Sequence, residues 1–72
     1  MKPSYLPAQI RLGDVLFKSG KSESAREVYL RSLQLDADNP YALLGLAREH
    51  LRGGAEEEAL TLLSRLGENN EE

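Results

Sequence analysis

The sequence predicts an all-α protein, a helical-hairpin solenoid of two 34-residue repeats with four helices. Three observations predict it. The chain matches itself at an offset of 34, so that Ala8 falls on Ala42, Leu12 on Leu46, Gly20 on Gly54, Glu23 on Glu57, Ala25 on Ala59 and Arg31 on Arg65. Size-matched pairs join these at the same offset: Gly13 with Ala47, Leu16 with His50, Lys18 with Arg52, and Tyr29 with Leu63. Glycines punctuate the chain between apolar stretches of helical period, while alternation of period two is absent and β-branched residues are few. A period of this length marks stacked helix-turn-helix units.

The first helix is expected from about Pro7 to Ser19, with Ile10, Leu12, Val15, Leu16 and Phe17 as a broad apolar stripe and Gly20 as a left-handed stop. Ser22 is the expected cap of the second helix, with Glu23 in its first turn matching the helix dipole. That helix continues through Ala25, Val28, Tyr29, Leu33 and Leu35. Asp36-Ala37-Asp38-Asn39-Pro40 links the units, Asn39 being a good N-cap and Pro40 a tolerated first helical residue. The third helix is expected over about Pro40 to Arg52, stopped by Gly53-Gly54. The fourth opens on Glu56, Glu57 and Glu58 and runs to Leu66, with Gly67 as its terminator and an acidic tail over residues 68–72. About 70% helix results, well above the globular average. The expectation is one repeat domain, with repeat one over about 6–39 and repeat two over about 40–67.

Bulk properties narrow the function. A chain of 72 residues buries only about 60% of its unfolded surface, so the core is thin. There is no cysteine, hence no disulfide and no thiol chemistry. A net charge of −3, from 12 carboxylates and 9 Lys and Arg, argues against nucleic-acid binding. No stretch reaches the roughly 20 apolar residues that span a bilayer. The start, Met1-Lys2-Pro3-Ser4, lacks the apolar run of a signal peptide. Cytoplasmic location is the default expectation, with a fragment of a longer, even periplasmic, chain as the alternative.

The pattern resembles the tetratricopeptide repeat (TPR) family over about residues 6 to 68. That family's first helix carries a Leu-Gly pair with a large residue three places on, here Leu12, Gly13 and Leu16, then Leu46, Ala47 and His50. Its second helix carries an Ala, an aromatic four later and a small residue three beyond, here Ala25, Tyr29 and Ser32, then Ala59, Leu63 and Leu66. Ala37 stands where a proline or small residue closes the unit. The early bulky aromatic of the first helix is replaced by Gln9 and Leu43, and the second repeat lacks its aromatics. Geometrically, Gly13 and Ala47 are expected to let paired helices approach closely against Ala25 and Ala59.

The resemblance implies a protein-interaction module whose first helices line a concave side. Carried over, the partner-binding candidates are Ile10, Arg11, Asp14, Phe17 and Lys18, with Pro7 beside them, and Tyr41, Leu44, Arg48, Leu51 and Arg52, with Gly45 beside them. Four cations against one anion, with apolar anchors between, suit a peptide that is both acidic and apolar. On a less specific reading, Phe17 and Leu51 are inter-repeat core and the arginines are solvated. Some family members grip a chaperone's C-terminal carboxylate with Lys and Asn. Here Ile10, Asp14 and Gly45 occupy those places, so that clamp is absent.

The fourth helix carries Leu60, Leu62, Leu63 and Leu66, more leucine than its own partner helix can cover. Leu60 stands opposite Arg26 in the repeat, an apolar gain where a solenoid end is usually polar. This predicts an oligomer interface, expected to be two-fold, or further repeats in a longer chain. The leading function is an adaptor, scaffold or assembly factor, and the alternative is a structural self-association unit. Catalysis, cofactors and metals are not expected. His50 is the one histidine, no serine has a base and orienting acid in sequence, and the glycines form no phosphate loop.

Overall fold

The computed structural model describes residues 4–69. Four helices follow in order, α1 (Leu6–Lys18), α2 (Ser22–Leu35), α3 (Pro40–Arg52) and α4 (Glu56–Asn69). They cover 82% of the described residues. Each helix packs antiparallel against the next, so α1–α2 and α3–α4 are hairpins and α2–α3 is the junction between them. The result is a slab of 32 × 27 × 15 Å.

The two hairpin turns are built alike. Gly20 and Gly54 have φ of 81° and 85°, the left-handed region where a Cβ is costly. After α1, the Gly20 amide donates to the Phe17 carbonyl at 3.1 Å and the Lys21 amide to that of Leu16 at 2.9 Å. After α3, the Gly54 amide donates to Leu51 at 3.1 Å and the Ala55 amide to His50 at 2.8 Å. Both are Schellman closures, which satisfy carbonyls that a helix end leaves unpaired.

The helix starts differ from one another. Asn39 caps α3, its side-chain oxygen accepting from the amides of Tyr41 at 2.9 Å and Ala42 at 3.1 Å. Ser22 does not cap α2. It is the first helical residue, and the capping position belongs to Lys21, which makes no side-chain cap bond. The Schellman closure brings Lys21 straight into the helix, where its carbonyl accepts from the Ala25 amide at 3.0 Å. Gly67 does not end α4, which continues through Glu68 to Asn69. A glycine stops a helix by turning left-handed, and Gly67 keeps a negative φ. The expected tail therefore starts later, and its residues 70–72 lie outside those described.

The core is small and lies at the junction. Leu6, Ile10, Ala25, Tyr29, Ala42 and Leu46 form one buried cluster, with Leu16, Phe17, Leu33 and Leu62 packed against it. Burying aliphatic and aromatic side chains of this kind contributes about 1.5–3 kcal/mol each, the main favourable term. The expected stripe of α1 divides: Ile10 is buried, whereas Leu12 and Val15 remain 51% and 55% exposed. Among the described residues, no helix packs on the side of α1 that carries them.

Candidate protein-interaction surface

Tyr29 organises the surface between the hairpins. It reaches from α2 into the gap between α1 and α3 and is 1% exposed. A Cβ added at Gly13 would lie 2.8 Å from the ring, and one added at Gly45 would overlap it further. Both glycines are therefore seats for one aromatic ring. This corrects two expectations: the close approach at Gly13 is to Tyr29, and Gly45 is buried beneath it instead of facing a groove.

The Tyr29 hydroxyl donates to the Asp14 carboxylate on α1. Burial pushes the phenol well above its ordinary value, and the hydrogen bond and negative charge of Asp14 push the same way, against a smaller opposing pull from Arg48. Asp14 is thereby committed within the fold. The one anion expected among the partner-binding candidates is occupied by the junction.

Other candidates divide by position. Ile10, Arg11, Asp14 and Tyr41 come together with Leu6, Pro7, Asp36, Asn39 and Pro40 around a groove of about 540 Å³ between α1 and the start of α3. Arg11 is exposed, and Tyr41 stands 70% exposed at the lip. Ile10, expected as a contact, is 6% exposed and belongs to the core, because α2 and α3 close over its side of α1. Leu44 and Arg48 follow Tyr41 along α3 and are exposed, Leu44 at 37%.

Lys18, Leu51 and Arg52 lie at the far ends of α1 and α3, away from this groove. Arg52 is spent within the fold: its guanidinium sits 3.5 Å over the Phe17 ring and donates to the Phe17 carbonyl at 2.6 Å. Phe17 is consequently half-buried packing and offers little of its face. Leu51 is 51% exposed, against the less specific reading that placed it in the core. On α4, Leu60 is 64% exposed, while Leu62 packs against the core and Leu63 and Leu66 are half-buried. Leu62 is thus part of the fold and leaves the expected oligomer face.

Sequence reasoning missed Leu6, Asp36, Asn39 and Pro40 as groove lining. Asn39 and Pro40 were legible as helix punctuation, yet their place beneath Tyr41 depends on how the link folds. The Asp36 carboxylate accepts from the Asn39 side-chain Nδ2 at 3.2 Å, which helps to hold the link. From the other side Arg65 of α4 donates to the Ala37 carbonyl at 2.7 Å and lies 3.7 Å from Asp38. No helix among the described residues is long and apolar enough to cross a membrane.

Comparison with known proteins agrees with this geometry. The family model of the TPR repeat matches residues 13–54. A TPR repeat-containing protein of Methanocaldococcus jannaschii, MJ1428, is 45% identical over 42 residues, covering 58% of this chain and 7% of that protein. The human Protein O-mannosyl-transferase TMTC3 is 37% identical over 60 residues, covering 83% of this chain and 7% of that protein. The chain thus spans a small part of the curated relatives it matches, and the transferase name describes the human protein as a whole. No solved structure gives a significant match. With the 34-residue period, the paired Schellman turns and the matching family model together, the chain belongs to the TPR repeat family.

Proposed function

We propose that this chain is a protein-binding adaptor that holds a partner segment along the groove between α1 and α3. TPR repeats are in general protein–protein interaction modules. The observation that carries the finer reading is the imbalance of free groups at this face. Arg11 and Arg48 are exposed beside Tyr41 and Leu44, while the nearby carboxylate of Asp14 is engaged by Tyr29. Such a face favours a segment with acidic residues between apolar ones. Charge steers the encounter and aromatic or leucine anchors supply the affinity.

The test is a titration of a labelled peptide of alternating Asp and Leu followed by fluorescence anisotropy. Arg48→Glu is expected to weaken binding by about tenfold, since reversing a charge replaces attraction with repulsion at a partly screened site. Tyr41→Ala removes the lip anchor and is expected to weaken it comparably. Affinity unchanged in Arg48→Glu would discard this groove as the binding face. No binding by the parent at millimolar peptide would discard the acidic-apolar partner.

A further inference from the structure

The junction between the hairpins has counterparts, 34 residues away, at both open ends of the slab. Leu46 and Glu49 are buried at 3% and 5%, whereas their counterparts Leu12 and Val15 are exposed at 51% and 55%. A groove of about 590 Å³ lies open at that end, with Tyr5, Leu12, Val28 and Leu35 among its lining. At the opposite end Leu60 and Leu51 are exposed at 64% and 51%. Each end therefore presents one half of an interface that the molecule already builds inside itself.

The halves also differ from the internal junction in a matched way. Tyr29 lies against Gly45 in the antiparallel packing of α2 on α3, with Arg26 one turn before it on α2 and Glu49 one turn after Gly45 on α3. The counterparts of these two charged residues are Leu60 and Val15, both apolar. The counterparts of Tyr29 and Gly45 are Leu63 and Arg11. A ring the size of tyrosine needs glycine opposite, whereas leucine leaves room for a residue with a Cβ. At the third level Arg52 donates to the Phe17 carbonyl, and the counterparts are Lys18 and Leu51, again a cation and a last-turn carbonyl. At two levels both members change together, and at the third the pairing is kept.

We propose that copies of this chain stack end to end, α4 of one lying against α1 of the next. Leu60 meets Val15, Leu63 meets the stem of Arg11, and Lys18 caps the carbonyl end of α3. The contact is heterologous and does not close on itself, so copies add in line, unlike the two-fold pairing expected from α4 leucines. Apart from Arg11, which borders both, it uses surfaces other than the peptide groove and stands apart from that reading.

Sedimentation velocity over a concentration series tests it with two variants, Val15→Glu and Leu60→Arg. Both positions are more than half exposed, and circular dichroism checks that each variant remains folded. The parent is expected to reach at least twice its 8.0 kDa mass as concentration rises. Either variant is expected to raise the concentration for half-assembly by more than about tenfold. Mixing the two restores assembly, because the intact α4 face of the Val15→Glu variant meets the intact α1 face of the Leu60→Arg variant. Assembly of Val15→Glu at parental strength, with Leu60→Arg monomeric and no rescue on mixing, would replace the proposal with a two-fold α4 contact. A parent that stays at 8.0 kDa into the millimolar range would overturn self-stacking.

Discussion

The interior of each hairpin and the junction between them are held by different means. Inside the hairpins the two repeats match closely: Ala25 and Ala59 are both 0% exposed, and both turns close through a left-handed glycine with the same pair of amide bonds. The junction has no such duplicate. It depends on Tyr29, on the two glycines that make room for it, and on Asp14, which accepts its hydroxyl. At the corresponding place on α4 stands Leu63, half-buried. The periodic part of the sequence makes hairpins, and the part that breaks the period joins them.

The sharpest way to break this contrast is to remove the ring. Tyr29→Ala is expected to cost about 3–5 kcal/mol, as large-to-small changes at filled core sites do. That is a large share of the stability a domain of this size holds. Leu63→Ala, at a site already partly open, is expected to cost less than half as much. Denaturant midpoints of the two variants give the ratio, and equal losses would show that the junction has no special dependence on Tyr29.

Next come the glycines. Gly45→Ala is expected to lose about 1–3 kcal/mol by overpacking against the Tyr29 ring, more than the roughly 1 kcal/mol that alanine gains over glycine in a helix. Gly67 is also helical but has nothing within 4 Å of an added Cβ. Gly67→Ala is therefore expected to stabilise, by at most about 1 kcal/mol. Thermal melts should move in opposite directions, and a shift of the same sign would remove the packing argument.

The hydroxyl carries a smaller share than the ring. Tyr29→Phe keeps the ring and leaves Asp14 without its donor, at an expected cost of about 1–3 kcal/mol near neutral pH. Because the folded phenol gives up its proton less readily than the unfolded one, its contribution is fully present below about pH 10. It declines as pH rises beyond that value. Stability against pH should accordingly fall less steeply in Tyr29→Phe than in the parent. Parallel curves would mean that the phenol does not couple folding to alkali.

The same division explains how much could be read from the sequence. Helices, turns and the Asn39 cap follow from local chemistry repeated at a fixed spacing, and the C-terminal ends of three of the four helices agree within a residue. Gly67 misled because glycine permits a stop without compelling one. The groove was legible only in part. Arg11, Asp14 and Tyr41 were recognised from their helix face. That Tyr29 would occupy Asp14, and Phe17 would occupy Arg52, depends on distances between hairpins that no local pattern specifies. Ile10 looked like a contact because periodicity places it on α1 without saying which neighbours close over it.

Both arginine straps also point the same way along the chain. Arg52 reaches back to the carbonyl of Phe17, and Arg65 reaches back to that of Ala37. In each case the acceptor is made before the donor. As the polypeptide leaves the ribosome, every anchor point is in place before the side chain that will grasp it, so the order of synthesis is also an order in which the structure can be fastened.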